Sequence, residues 1–299
     1  MVRRVVALLA AAAALALGGC AAVAGDGDLT GDWAILPKAQ VPVPASGVCR
    51  ANIMSEKSID WDLALFVAPP VDCKTRHATE TYYVGKITDA KAVKSTSPPE
   101  YGDAAFKTVY TNCAKQATKF LGDDYHDARV FIAPVLPTDL EWRGEARFYR
   151  CEMIELAADG EGIAERAASL KDGLRGKRPA AVQCVNYSDE GDHVEDLRFV
   201  PCAKPHLAEY TGTYMPKDGK FPGEDKASDR GAAGCLAVSA RYVGMTVAAL
   251  DAVGGYQWIH DGTSEGLWSI GERGERCYMG SYPGKKRTGS IKGKSPSRW

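Results

Sequence analysis

Two short segments hold the side chains best suited to chemistry. Val71-Asp72-Cys73-Lys74-Thr75-Arg76-His77-Ala78-Thr79-Glu80 and Val200-Pro201-Cys202-Ala203-Lys204-Pro205-His206-Leu207-Ala208-Glu209 both read V-x-C-x-x-x-H-x-x-E. A histidine and a glutamate three residues apart can serve as base and acid, or join a cysteine around a metal ion. On that ground one reading of the chain is a metal-dependent or acid/base hydrolase using His77, Glu80, His206 and Glu209. The plainer reading is structural. In an extended segment Cys73, Thr75 and His77 share a face, which places His77 beside any bridge made by Cys73. A histidine tying down a loop there explains the spacing without catalysis. We therefore expect no catalytic residue, no metal and no cofactor. The chain has no P-loop, H-E-x-x-H helix or Gly-rich dinucleotide turn, which leaves those enzyme classes without their usual signature.

Other candidates have bland readings as well. Trp142 and Trp268 each precede a cysteine by nine residues and are expected to plug the core against a nearby disulfide. Asp123-Asp124 beside Tyr125-His126-Asp127 has the charge for a cation, yet reads better as a solvated loop. His126, His193 and His260 lie in polar surroundings and are expected at the surface.

The cysteines set the compartment. There are nine: Cys20, Cys49, Cys73, Cys113, Cys151, Cys184, Cys202, Cys235 and Cys277. No C-x-x-C occurs, which removes the usual signature of thioredoxin-like, zinc-ribbon and c-type haem sites. Setting Cys20 aside leaves an even number, as expected of disulfides in an exported chain. The eight divide four and four, with matching surroundings. Cys113 and Cys235 are followed seven residues on by Phe120-Leu121-Gly122 and Tyr242-Val243-Gly244. Arg150-Cys151-Glu152-Met153 matches Arg276-Cys277-Tyr278-Met279. Identities at matched offsets and in matched order indicate a tandem duplication. Three pairings are open within each set of four. Proximity in the chain favours Cys49–Cys73, Cys113–Cys151, Cys184–Cys202 and Cys235–Cys277.

The elements around these residues follow from periodicity. In the first copy Leu63–Val67 and Glu80–Ile87 are strand-like. Tyr101–Leu121 is helical, because Phe106, Val109, Tyr110, Cys113, Ala117 and Phe120 recur at threes and fours, and Gly122 stops it. Ala128–Val135 and Ala146–Ile154 are strands, joined by a loop containing Trp142. In the second copy Ala208–Tyr214, Asp229–Tyr242 and Gly274–Met279 take the corresponding places. The expected fold class is α+β: two tandem copies of a small disulfide-bonded domain, each an antiparallel sheet with one packed helix.

The flanks complete the layout. Arg3 and Arg4 precede an apolar run, Val5 to Leu17, too short to span a bilayer but suited to a signal peptide. Leu17-Gly18-Gly19-Cys20 resembles a lipobox, so residues 1–19 read as a lipoprotein signal peptide with lipidation, palmitate included, at Cys20. Residues 20–45 form the tether, in which Trp33 is expected to dock back. Copy 1 spans 46–156 and copy 2 spans 179–282. The linker, 157–178, carries Ile163, Ala167, Leu170 and Leu174 near helical spacing and is expected to hold a short helix. The basic segment 283–299 is expected to be disordered. Without Arg3 and Arg4, the 37 Lys and Arg fall to 35 against 38 Asp and Glu, a balance that does not suit a nucleic-acid partner.

Taken together, a Cys, then C-x-x-x-H-x-x-E, then a helical Cys, then Trp nine residues before a last Cys resembles the septum formation family. The resemblance covers both copies, with Pro201 and Pro205 of the second family-like and Asp72 and Arg76 of the first departing from it. It implies a location in the cell envelope and a link to cell division. The resulting expectation is a non-enzymatic lipoprotein on the extracytoplasmic side of the cell membrane. Its partners would be the membrane, through the lipid anchor, and a protein or cell-wall component.

Overall fold

The computed structural model describes residues 41–51, 68–158, 162–190, 193–254, 256–261, 264–281 and 284–295. The signal peptide, Cys20, Trp33 and the strand expected at Leu63–Val67 lie outside the described residues.

The chain alternates strands with a few helices. Its first half gives β1 (Val48–Arg50), β2 (Pro70–Val71), β3 (Thr79–Lys86), α1 (Ala104–Leu121), β4 (Val130–Val135), α2 (Asp139–Arg143) and β5 (Phe148–Glu155). The second gives β6 (Cys184–Glu190), β7 (His193–Val200), β8 (Ala208–Tyr214), α3 (Glu224–Val243), α4 (Val247–Val253), β9 (Tyr256–Asp261), α5 (Glu265–Ile270) and β10 (Glu275–Ser281). The strands form two antiparallel five-stranded sheets, ordered β2-β1-β3-β5-β4 and β7-β6-β8-β10-β9. Substituting each strand by its counterpart converts one order into the other. The β3–β5 ladder shifts register at Tyr82 and the β8–β10 ladder at Thr211, in each case two residues after the motif glutamate. The fold is mixed α and β, as the patterning implied, and both sheets belong to one compact unit, Val41–Trp299.

Each sheet is covered by its long helix. In α1 the apolar stripe buries Val109, Tyr110, Cys113, Ala117 and Leu121 against β3, β4 and β5. Gly122 ends α1 in the left-handed region at φ 89°, with its N–H on the Thr118 carbonyl. Gly244 does the same for α3 at φ 74°, which explains the matched glycines, since only glycine adopts that conformation freely. Helix α3 begins at Glu224, earlier than the expected Asp229, with Glu224 and Asp225 in its first turn, where the helix dipole favours acids.

The four disulfides are Cys49–Cys73, Cys113–Cys151, Cys184–Cys202 and Cys235–Cys277, the pairing favoured by chain proximity. In each half one bridge ties the long helix to its sheet and the other ties the first strand to the turn before the motif histidine. Each such bridge stabilises a fold by about 2–4 kcal/mol, chiefly by restricting the unfolded chain.

Trp142 and Trp268 lie on the short helices α2 and α5, not in loops. Pro137-Thr138-Asp139 looks like a loop signal, but Thr138 and Glu141 form a reciprocal capping box that starts α2. Trp142 is 1% exposed, donates its indole N–H to the Ser95 carbonyl at 2.9 Å, and shares a buried cluster with Cys113 and Cys151. Trp268 donates to the Gly219 carbonyl at 2.7 Å. An arginine five residues on covers each ring, Arg147 at 3.8 Å and Arg273 at 4.0 Å from the centroids.

Two expectations about the flanking segments fail. No helix forms among the described residues of the linker: it runs as bridges and turns, with Asp172 at φ 58° and Arg178 at φ 50°. Leu170 and Leu174 are buried, but in a strap and the turns after it: the Leu170 N–H bonds to Glu80 of β3, and the N–H groups of Asp172 and Leu174 bond to the carbonyls of Phe120 and Leu121 at the end of α1. Residues 284–295 of the basic tail are not disordered but docked on the second sheet, with Ile291 2% exposed. Composition misled here, since a strap needs one apolar anchor rather than a periodic face.

Candidate functional site

The V-x-C-x-x-x-H-x-x-E segments have the same architecture in both halves. The cysteine sits in a turn and bridges back to the first strand. The histidine makes an isolated bridge with a distant segment, and the glutamate lies on the central strand directly across from the partner cysteine. Cys49 pairs with Glu80 across β1–β3, and Cys184 with Glu209 across β6–β8.

Both histidines are buried, His77 at 1% and His206 at 0% exposure. Their backbones exchange hydrogen bonds with Arg166 and Arg287, at 2.9 and 3.0 Å for His77 and 2.9 Å both ways for His206. Each ring Nδ1 is 2.8 Å from the carbonyl two residues earlier, Thr75 or Lys204. A carbonyl only accepts, so Nδ1 carries the hydrogen and Nε2 keeps its lone pair. Both Nε2 atoms are buried without a partner.

The glutamates hold the straps down. Glu80 accepts the Ser169 hydroxyl at 2.6 Å and the Leu170 N–H at 2.8 Å. Glu209 accepts the Ser290 hydroxyl, the Ile291 N–H at 2.6 Å and the Tyr242 hydroxyl at 2.5 Å. Arg166-Ala167-Ala168-Ser169-Leu170 and Arg287-Thr288-Gly289-Ser290-Ile291 are therefore a further matched pair, R-x-x-S followed by Leu or Ile. Sequence reasoning missed it by assigning the first to a linker and the second to a tail. The signal was there, but it lies at unequal distances from the last cysteine of each half.

Metal-ligand geometry recurs at these points. Ligand atoms of Cys49, Cys73 and Glu80, and of Cys184, His206 and Glu209, lie within 4.8 Å of one another. While the bridges are closed, the sulfurs are not thiolates and do not act as metal ligands.

A second cluster joins the two sheets, around residues that have no counterparts. Glu272, between α5 and β10, accepts the hydroxyls of Tyr110 and Tyr125 and the backbone N–H groups of Arg273 and Gly274. Its other contact is His126 Nε2 at 3.0 Å, while His126 Nδ1 reaches Asp124 at 2.6 Å. His126 is not at the surface but 9% exposed. Burial alone would lower its pKa, but the hydrogen bonds and charges of Asp124 and Glu272 outweigh that and lift it to about 9. Burial pushes the Glu272 carboxyl up, but His126 and the two tyrosines outweigh it and hold it at about 2. Burial pushes both tyrosine hydroxyls up, so they stay protonated donors. Gly274 packs so close to the His126 ring that a Cβ there would lie 2.2 Å from its Cδ2. Arg276 adds bonds to the carbonyls of His126, Ala128 and Val130 at 2.9–3.2 Å.

The acidic run before His126 is likewise spent on structure. Arg178 binds Asp123 at 2.6 Å and Asp127 at 3.0 Å, and Tyr210 donates to Asp127 at 2.7 Å. Beside it lies a cavity of about 560 Å³, lined by Lys177, Arg178, Cys202, Glu209, Tyr242 and Lys292 among others. His193 opens β7 and His260 lies in β9; neither is a loop residue.

Comparison with known proteins gives one positive finding. The septum formation family matches residues 60–277, a single stretch that runs through both sheets. No curated protein and no solved structure matches the chain. With both halves spanned by that match, the chain belongs to the septum formation family.

Proposed function

We propose that the chain is a non-enzymatic cell-envelope lipoprotein. It is anchored by lipid on Cys20 to the outer face of the cytoplasmic membrane, where it takes part in septum formation. The two halves are a duplicated, disulfide-stapled module and offer binding surfaces to a protein or cell-wall partner. One observation carries the non-enzymatic reading: His77, Glu80, His206 and Glu209 are at most 3% exposed, with both glutamates bonded to strap donors and both histidine backbones paired with strap arginines. A general acid or base has to reach the substrate directly or through one water. The family supplies the link to septation. The apolar leader and Cys20 support the anchor, since acyl chains bind membranes by about 0.8 kcal/mol per buried CH₂.

Two experiments test the proposal in cells. Labelled palmitate should enter the wild-type chain and not Cys20→Ala; an unlabelled wild-type chain released to the medium would refute the anchor. In-cell crosslinking at the septum should recover the same partner from wild type and from a Glu80→Gln, Glu209→Gln double variant. Loss of turnover of any envelope substrate on deletion, restored by wild type but not by that variant, would refute the non-enzymatic reading.

A further inference from the structure

We propose that Cys184, Cys202, His206 and Glu209 form a zinc site that opens when the Cys184–Cys202 bridge is reduced. Cys184 Sγ, a ring nitrogen of His206 and a carboxylate oxygen of Glu209 already lie within 4.8 Å of one another. Cys202 Sγ is bonded to Cys184 Sγ and supplies the fourth donor once the bridge opens. His206 Nδ1 is taken by the Lys204 carbonyl, which leaves Nε2 as the coordinating atom. That nitrogen belongs to a side chain with no exposure and has no partner. An unpaired acceptor buried so completely is costly unless something binds it. Among the described residues Glu209 Oε2 accepts the Ile291 N–H, and a carboxylate oxygen has a second lone pair to offer a metal. Two thiolates, one imidazole and one carboxylate are a tetrahedral donor set suited to zinc.

The site has an access route. Cys202 is half-buried, and it lines the cavity of about 560 Å³ together with Glu209. A reductant and a hydrated ion can therefore approach from the same side. In the first half the grouped ligand atoms are those of Cys49, Cys73 and Glu80, with no imidazole nitrogen among them, so the proposal places one site per chain, in the second half.

The chemistry is a dithiol exchange followed by metal capture. A dithiol reductant gives two electrons and two protons to the Cys184–Cys202 bond and becomes a disulfide, leaving two thiols on the chain. Zinc then binds both sulfurs, His206 Nε2 and Glu209, and the two thiol protons go to solvent. The metal replaces the S–S bond as the link between β6 and the turn before His206, so the fold keeps a staple at that position in either redox state.

The test uses the full mature chain, reduced under argon with a water-soluble phosphine, incubated with zinc sulfate and desalted. Elemental analysis should find one zinc per chain in wild type and in His77→Ala, and none in His206→Ala or in the unreduced protein. Zinc-edge X-ray absorption of the wild type should show two sulfur and two nitrogen or oxygen neighbours. The absorption measurement decides the matter even if His206→Ala fails to fold. No zinc in the reduced wild type, zinc retained by folded His206→Ala, or a shell of four sulfurs would overturn the proposal.

Discussion

Glu272→Gln removes one charge from the junction between the sheets while keeping the size of the side chain. The magnitude follows from the contact with His126. The Glu272 carboxyl is held at about 2 against an ordinary 4.5, and the His126 ring is raised to about 9 from 6.5. Each shift is worth about 3 kcal/mol at about 1.4 kcal/mol per unit. The two describe one ion pair from its two sides, so they are not added. Screening is small, since the side chains are 11% and 12% exposed. The folded-state pKa of Glu272 is depressed, so its contribution is full above about 4.5 and is lost as pH falls toward 2. That of His126 is raised, so its contribution is full below 6.5 and is lost as pH rises through about 9. Wild-type stability should therefore have a plateau between those limits and decline on both sides. The variant should lose about 2–3 kcal/mol on the plateau, with a residue of the alkaline limb kept by Asp124. Above about pH 9 the difference should narrow to the part due to the tyrosine and backbone hydrogen bonds of Glu272, because His126 is then neutral in both. Urea unfolding at a series of pH values measures all of this. A difference under about 0.5 kcal/mol on the plateau, or one independent of pH, would refute the assigned ion pair.

Four further outcomes are expected. Ser169→Ala and Ser290→Ala should each cost about 1–2 kcal/mol in thermal unfolding, because each removes one of the donors satisfying a buried carboxylate. Arg276→Ala should cost about 2–3 kcal/mol by freeing three carbonyls of the first half, and should speed amide exchange around β4. Trp142→Ala should cost about 3–5 kcal/mol in chemical unfolding, through the cavity left in the first core. A chain ending at residue 283 should melt lower and expose the second sheet to proteolysis, since it loses Ile291 and the bonds to Glu209; an unchanged melting temperature would show that the strap contributes nothing.

The repeat was legible because it is written in residue types whose roles are local. The cysteines, the glycines ending α1 and α3 and the tryptophans ahead of the last cysteines each answer to nearby geometry. Their offsets therefore survive in both halves. The short helix α2 stands where a loop is expected, although the Thr138-x-x-Glu141 capping box is visible in the sequence. The hairpin of β6 and β7 and the edge strand β9 are not among the expected elements, although Val185 and Tyr187, Leu197 and Phe199, and Tyr256 and Trp258 alternate with polar residues.

By itself, then, the sequence determined the α+β class and the two sets of four cysteines, which depend on short-range spacing, and left three pairings open within each set, of which the structure shows the one that chain proximity favours. Tertiary structure alone decided what the motif residues do. Glu80 and Glu209 meet their serines 89 and 81 positions away, and His126 meets Glu272 146 positions away. Such contacts leave no periodicity in the chain, because a hydrogen bond between distant segments constrains only the few atoms that touch. In the sequence the strut reading is only the plainer of two, and which atoms these residues hold is visible in their burial and partners alone.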